Sequence, residues 1–224
     1  MIETRELKLD IEAADRVSAL LQLPASARAC YVLAHGAGAD MRHAFMEKAA
    51  VGLAERGIAT LRFNFPYMEK KQGRPDRPAV AHAAVRAAVA EAARLCPGLK
   101  LVAGGKSFGG RMTSQAQSKA PLPGVKGLAF LGFPLHPDKK PSSERAEHLA
   151  GIAIPMLFLQ GTRDGLADLG CLKPVVEKLG AKATLHEVEG GDHSFTVLKK
   201  SGRTNDEALT EVLDTLAAWI DRLA

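Results

Sequence analysis

The chain has 224 residues, of which 46% are hydrophobic and 25% are charged, and its formal net charge at pH 7 is +5. These values are typical of a folded globular protein and exclude disordered and membrane-spanning chains, while the length favours a single domain over residues 1–224. Because the basic residues are scattered among acidic ones and form no run, the charge indicates an ordinary solvated surface, and we expect no nucleic-acid partner.

The first residues of the chain alternate charged and apolar positions. They contain no apolar stretch long enough for a signal peptide, and no apolar run of about 18 residues follows. We therefore expect a cytoplasmic protein without a membrane partner. Segments 7–11 and 16–23 mix apolar and polar positions, as half-exposed strands at an antiparallel edge do.

From Cys30 onward, compact apolar runs alternate with longer amphipathic ones. This alternation predicts β-α units, and therefore a mostly parallel sheet of about seven to eight strands with helices on both faces. The three cysteines, Cys30, Cys96 and Cys171, are widely spaced and include no CxxC pair. They favour neither a disulfide framework nor a zinc site, and Cys30 fits a small buried residue in a strand.

Segments 65–78 and 135–151 are the longest predicted loops, and each follows an apolar strand. Loops at the carboxyl ends of parallel strands commonly bind ligands, so we expect these two to wall the site. Basic residues near this edge suggest steering of an anionic substrate, although basic side chains are as common on ordinary loop surfaces. They are Arg42, Lys70, Lys71, Lys106, Arg111 and Arg163.

The clearest chemical motif is G-x-S-x-G at Gly105-Lys106-Ser107-Phe108-Gly109. It follows a short apolar strand and precedes a helical segment, which is the context of a nucleophile elbow. In such an elbow, a tight turn holds the serine in a strained conformation with its hydroxyl exposed, and the flanking glycines let the backbone approach closely. Ser107 is therefore the predicted nucleophile.

A serine hydroxyl needs a base to remove its proton, and His193 is the best placed of the seven histidines. It lies on a Gly-rich turn between the last predicted strand and the final helix. Asp164, just after an apolar strand, is the predicted acid that orients the imidazole. Asp168 and Asp192 compete for this role, but Asp168 falls further into the next helix and Asp192 adjoins the histidine itself. The order Ser, Asp, His is the one found in α/β-hydrolases.

The final helix has the clearest periodicity, because its apolar residues form one stripe that should pack on the sheet. The stripe consists of Leu209, Val212, Leu213, Leu216, Ile220 and Leu223.

Attack on a carbonyl also needs N–H donors for the oxyanion that forms. We predict that these are the backbone N–H groups of Phe108, directly after the nucleophile, and of Ala37, in the loop after the first parallel strand. His35 is expected to organise that loop. The residues predicted to line the substrate site are His35, Gly36, Gly38, Tyr67, Lys106 and Arg111.

Four segments resemble the α/β-hydrolase-like family that includes bacterial dienelactone-hydrolase-like proteins, the testis-expressed hydrolase-like protein and a subunit of the non-specific-lethal chromatin complex. They are HGAGADMRH, FNFPY, GGKSFGGRM and LGFPLHP. The resemblance covers nearly the whole chain, and it implies the α/β-hydrolase fold and a triad at Ser107, Asp164 and His193. Dienelactone hydrolases themselves carry a cysteine where this sequence has Ser107, so their lactone substrate does not carry over.

Other interpretations of the glycine motifs fail on spacing. A phosphate-binding P-loop would need a glycine where the chain has Lys100, and a dinucleotide fingerprint starting at Gly36 would need one at Met41. A metal site built from His35, Asp164 and His193 lacks a close-spaced ligand pair such as HExxH. We therefore expect neither a metal nor a cofactor.

These features predict a carboxylesterase-like serine hydrolase, a monomer or homodimer, that cleaves a small carboxylic ester, thioester or related acyl bond through an acyl-enzyme. Only about twenty residues separate the strand ending near Gly132 from the next one, too few for a lid domain, so short acyl groups are expected. The alternative is a non-catalytic binding or scaffolding protein on the same fold, because a fold does not establish a function.

Overall fold

The computed structural model describes residues 2–12 and 16–224, and one eight-stranded sheet runs through it. The strands are β1 (Ile2–Leu9), β2 (Val17–Pro24), β3 (Ala29–Ala34), β4 (Ile58–Phe63), β5 (Lys100–Lys106), β6 (Val125–Leu131), β7 (Met156–Gly161) and β8 (Ala183–Val188). The helices are α1 (Ala44–Glu55), α2 (Pro66–Glu69), α3 (Pro78–Leu95), α4 (Phe108–Lys119), α5 (Leu169–Leu179) and α6 (Asn205–Arg222). Short 3₁₀ segments lie at Glu144–Gly151, Gly180–Lys182 and Lys199–Ser201.

The strand order is β1-β2-β4-β3-β5-β6-β7-β8. The pairs β1/β2 and β2/β4 are antiparallel, and the remaining pairs are parallel. The predicted mostly parallel α/β-hydrolase sheet with an antiparallel edge is therefore confirmed. The edge strands differ from segments 7–11 and 16–23 in their bounds, since most of β1 is exposed and gives no apolar signal where it begins.

Helices cover both faces of the sheet, as predicted. On one face, α1 and α6 form a core with Tyr31 and Leu33 of β3, and the stripe of α6 contributes Val212, Leu216 and Ile220. On the other face, α3, α4 and α5 bury their apolar residues against the opposite side of the strands. No helix within residues 2–12 and 16–224 is both long and apolar enough to cross a membrane.

The carboxyl ends of the central parallel strands are aligned at one edge. In register, Ala34 of β3 pairs with Gly105 of β5, Gly105 pairs with Phe130 of β6, and Phe130 pairs with Phe158 of β7. The connection from β6 to β7 contains one short 3₁₀ segment, Glu144–Gly151, and no other helix or strand, so no lid domain is inserted there. Side chains that follow these four strands therefore meet at one open edge.

Candidate active site

Ser107 lies in the sharp turn between β5 and α4. Its backbone has φ 51° and ψ −116°, a conformation that a residue with a side chain adopts only at a cost. The turn is possible because Gly109 has no Cβ, which would lie 2.5 Å from the carbonyl oxygen of Ala34. The Ser107 N–H donates to the carbonyl of Leu131 at 3.2 Å, which ties the turn to β6.

The structure brings Ser107, His193 and Asp164 together, although they are far apart in the chain. His193 Nε2 lies 2.8 Å from Ser107 Oγ, and His193 Nδ1 lies 2.7 Å from Asp164 Oδ2. With Asp164 ionised, Nδ1 carries the ring proton and donates it to the carboxylate, so Nε2 is free to accept the serine proton. The three side chains thus have the geometry needed to activate a hydroxyl.

Asp164 has a fully buried side chain, and its two oxygens are held from different directions. Oδ1 accepts from the N–H of Leu166 at 2.8 Å, while the amide of Gln160 donates to Oδ2. Gln160 itself is buried, and its Oε1 accepts from the Phe133 N–H at 2.9 Å. The role of Gln160 was not predicted from the sequence, where the available signal was a polar residue at the end of an otherwise apolar strand.

Asp168 and Asp192, the other two candidates for the acid of the triad, make local hydrogen bonds instead. Asp192 Oδ1 accepts from the N–H groups of Ser194 and Thr196 at 2.8 Å each, which closes the turn that carries the histidine. Asp168 caps α5, accepting from the Cys171 N–H at 3.2 Å. In the described part of the chain, Asp164 is thus the acid that contacts the imidazole.

Lys106 and two phenylalanine rings also hold the turn that carries His193. The Lys106 ammonium donates to the carbonyl oxygen of His193 and lies 5.8 Å from the centre of the Phe45 ring. Phe45 in turn stacks on Phe195, which follows the histidine and is buried. Burial lowers the pKa of Lys106 to about 8, with the charges of Asp164 and Asp192 acting in the opposite direction.

The loop after β3 has a fixed backbone next to the nucleophile. The carbonyl of Gly36 lies 2.8 Å from His35 Nδ1 and accepts from the Ala39 N–H at 3.2 Å. Because a peptide group is planar and trans, holding this carbonyl also fixes the direction of the Ala37 N–H. The Phe108 N–H is the first of α4 and has no acceptor within the helix. These are the two predicted oxyanion donors.

Three residues predicted to contact substrate are instead buried within the protein. His35 Nε2 accepts from the Phe65 N–H at 3.0 Å, and the Tyr67 hydroxyl donates to the Ala37 carbonyl at 2.8 Å. Lys106 is only 8% exposed and is committed to the His193 turn. Burial lowers the pKa of His35 to about 4 and raises the pKa of Tyr67, so both stay neutral at pH 7. They organise the loop, as expected for His35, and do not line the site.

The remaining predicted lining residues differ in exposure. A Cβ on Gly36 would lie 3.7 Å from Ser107 Cβ, so this glycine adjoins the nucleophile. Gly38 is exposed and Arg111 is half-buried. Of the other rim cations, Arg42 pairs with Glu6 at 2.5 Å, and Arg163 donates to the Gly190 carbonyl at 3.1 Å. Within the residues that the structure describes, no three His, Cys, Asp or Glu side chains are grouped to hold a metal ion.

Comparison with known proteins gives one family and several solved structures. A family model described as an alpha/beta hydrolase domain matches residues 27–221. A dienelactone hydrolase from Anabaena variabilis is 19% identical with a TM-score of 0.76, and the match covers 99% of this chain and 98% of that one. A Xanthomonas campestris serine hydrolase described as lacking a lid is 21% identical with a TM-score of 0.74, over 97% and 95% of the two chains.

An esterase domain from Rhodothermus marinus has a TM-score of 0.73 at 17% identity, and the match covers 100% of this chain and 99% of that one. At such identities the likeness establishes the fold alone, because one fold supports many activities.

Proposed function

The chain belongs to the alpha/beta hydrolase domain family, and from that premise we propose that it is a serine hydrolase that cleaves small carboxylic esters or related acyl bonds. The observation that carries the proposal is the pair of contacts made by His193, at 2.8 Å to Ser107 Oγ and 2.7 Å to Asp164 Oδ2. We further assign it to the dienelactone-hydrolase-like group within the family, on the four resembling segments described above.

The proposed reaction begins when Ser107 Oγ attacks the ester carbonyl and His193 Nε2 takes the hydroxyl proton. The N–H groups of Ala37 and Phe108 donate to the oxyanion. As the C–O bond breaks, His193 returns the proton to the leaving alcohol and an acyl-enzyme remains. Water then attacks, its proton passes to His193, and the acid leaves as Ser107 is restored. Asp164 stays ionised and stabilises the imidazolium.

The open edge favours small substrates. The only helical segment in the β6–β7 connection is Glu144–Gly151, so this connection supplies no apolar lid to cover a long acyl chain. We expect acetyl and butyryl esters to be cleaved with higher kcat/KM than esters of long-chain fatty acids. A strong preference for long-chain esters would contradict this expectation.

The test is labelling with a fluorophosphonate probe, with the adduct located by mass spectrometry. We expect the adduct on Ser107, and loss of both labelling and ester hydrolysis in Ser107→Ala. Ser114→Ala is a matched control. Ser114 lies on α4, and its Oγ also lies 2.8 Å from a histidine nitrogen, His148 Nε2, but its side chain is buried and out of reach of the probe. This variant should still be labelled at Ser107.

Equal background hydrolysis in the wild type and Ser107→Ala, without labelling, would favour the scaffolding alternative. The cytoplasmic location and the monomeric or homodimeric state stay predictions, which cell fractionation and light scattering would check.

A further inference from the structure

One face of α4 leads from the nucleophile to the Glu144–Gly151 segment. Ser107 directly precedes the helix, and its carbonyl oxygen accepts from the Arg111 N–H at 3.1 Å. Arg111 and Ser114 lie three residues apart and therefore on one side of the helix. Ser114 is covered by that segment through the contact of its Oγ with His148 Nε2 at 2.8 Å. Arg111 therefore lies between the nucleophile at the open edge and Ser114 under the Glu144–Gly151 segment.

The charge of Arg111 has no counterion among the residues that the structure describes. Its guanidinium forms no ion pair or hydrogen bond there, and its Nε is fully buried without a partner. Burial lowers the pKa of Arg111, and the positive charge of Arg145 lowers it further. The Arg111 Cζ lies 6.0 Å from the centre of the Phe108 ring, a contact that supplies no full negative charge. A partly buried cation without a counterion costs free energy, which a bound anion would recover.

The groups around the two arginines do not supply that anion. Burial lowers the pKa of His148 to about 4, with the charge of Arg111 as the next cause, so this histidine is neutral at pH 7. Glu144 and Glu147 adjoin Arg145 in the chain, but both are exposed, and neither pairs with an arginine in the described residues. Arg111, whose N–H donates to the Ser107 carbonyl at 3.1 Å, thus remains without a counterion one helical turn from the nucleophile. Arg145 lies on the segment that covers the same helix, and its charge acts on Arg111.

We propose that Arg111 and Arg145 form a subsite for an anionic group, a carboxylate or a phosphate, on the acyl part of the substrate. This inference rests on the proposed function and names its substrate class. Four residues of helix span about 6 Å along the axis, and helical side chains tilt toward the N-terminus, here toward Ser107. A short dicarboxylic monoester matches that span, and guanidinium groups bind carboxylates through paired hydrogen bonds.

The kinetic test compares monoethyl glutarate with ethyl valerate, which have acyl chains of equal length with and without a terminal carboxylate. The readout is the ratio of their kcat/KM values, followed by ethanol release. We expect Arg111→Met to lower this ratio about 10- to 100-fold, and Arg145→Met to lower it in the same direction. Arg111→Lys, which keeps the charge, should retain part of the ratio.

Lys119→Met is the control, since it removes one positive charge from the far, exposed end of the same helix and should leave the ratio unchanged. An equal ratio in the wild type and Arg111→Met would overturn the subsite.

A binding test separates this inference from the proposed hydrolase activity. Calorimetric titration of Ser107→Ala with glutarate, and separately with inorganic phosphate, measures the subsite without turnover. We expect affinity to fall at least about tenfold in Ser107→Ala/Arg111→Met but not in Ser107→Ala/Lys119→Met. Tighter phosphate than glutarate binding would identify a phosphate-bearing substrate.

The outcomes of the two tests are distinct. Ser107-dependent cleavage of ethyl valerate without Arg111-dependent binding of either anion would overturn the subsite and leave the hydrolase standing. Arg111-dependent anion binding without cleavage of any ester would support the subsite and contradict the hydrolase.

Discussion

Asp164 holds the His193 ring in one orientation, and Gln160, four residues earlier in the chain, donates a hydrogen bond to the carboxylate. Gln160 bridges the Phe133 N–H and Asp164 Oδ2, so it ties the acid to the end of β6. Since Oδ2 is also the oxygen that faces His193 Nδ1, a shift of Gln160 would be passed to the imidazole. Gln160 is therefore a positioning residue.

Replacing Gln160 by Leu should keep the volume, leave the Phe133 N–H without an acceptor, and remove one of the hydrogen bonds that hold Asp164 Oδ2. We expect kcat to fall about 10- to 100-fold with KM little changed, because the reacting groups lose their alignment. Gln117→Leu is the matched control: Gln117 is buried and accepts from the Leu122 N–H at 2.7 Å. Each change should cost about 1–3 kcal/mol of stability, and an equal kcat in both variants would refute the positioning role.

The burial of Lys106 predicts how the free energy of unfolding depends on pH. Its pKa is about 8 in the folded protein, where burial is the main cause, against 10.5 for an ordinary lysine. Between these pH values the unfolded chain holds a proton that the folded chain has lost, so stability rises with pH. Below pH 8 and above pH 10.5 this residue adds no slope.

The comparison is between the wild type and Lys106→Met, by urea unfolding at pH 7.5 and at pH 10. From pH 7.5 to pH 10, we expect the wild type to gain up to about 3 kcal/mol relative to the variant. A difference in unfolding free energy that does not change with pH would show that the ammonium titrates normally.

At the level of elements, the junction of β5 and α4 depends on close backbone approach. A Cβ on Gly109 would meet the Ala34 carbonyl oxygen at 2.5 Å and its carbon at 2.6 Å. Since backbone atoms of a central strand cannot move aside cheaply, α4 would have to shift, and Ser107 with it.

We expect Gly109→Ala to lower the unfolding free energy by about 1–3 kcal/mol and to slow fluorophosphonate labelling of Ser107. Gly73→Ala makes the same chemical change where no atom lies within 4 Å, so its stability should stay within about 0.5 kcal/mol of the wild type. Urea unfolding measures both, and equal stabilities would mean that the junction tolerates a methyl group.

The elements also show what can be predicted from the chain alone. The β-α alternation and the position of Ser107, Asp164 and His193 after strands are local features, and parallel strands bring such positions to one edge. The start of β1 was missed because main-chain pairing with β2 defines it, while its side chains are mostly exposed. A pattern of apolar residues carries no information about such pairing.

The direction of a loop side chain is likewise hidden in a single sequence. His35 and Tyr67 follow strand ends as lining residues do, yet both point inward to backbone partners. The roles of Gln160 and Arg145 depend on contacts or charges across elements, which local spacing does not reveal. These residues could be assigned only once the strands and helices were packed.

For the whole molecule, the sheet separates the two helical layers but also joins them. Trp219, the one tryptophan of the chain, is 5% exposed in the layer of α1 and α6. Ser107 directly precedes α4, which packs in the opposite layer. Because the same central strands supply both cores, loss of either layer should release the other, as in a single cooperative domain.

Leu216→Ala tests this coupling, since Leu216 is fully buried on α6 and lies across the sheet from α4. We expect the unfolding free energy to fall by about 2–5 kcal/mol. Trp219 fluorescence, far-UV circular dichroism and Ser107 labelling should give one shared midpoint in urea, shifted equally by the substitution. Leu209→Ala, the same truncation at a partly exposed position of α6, should cost less. Separate midpoints for Trp219 and Ser107 would contradict a single domain over residues 1–224.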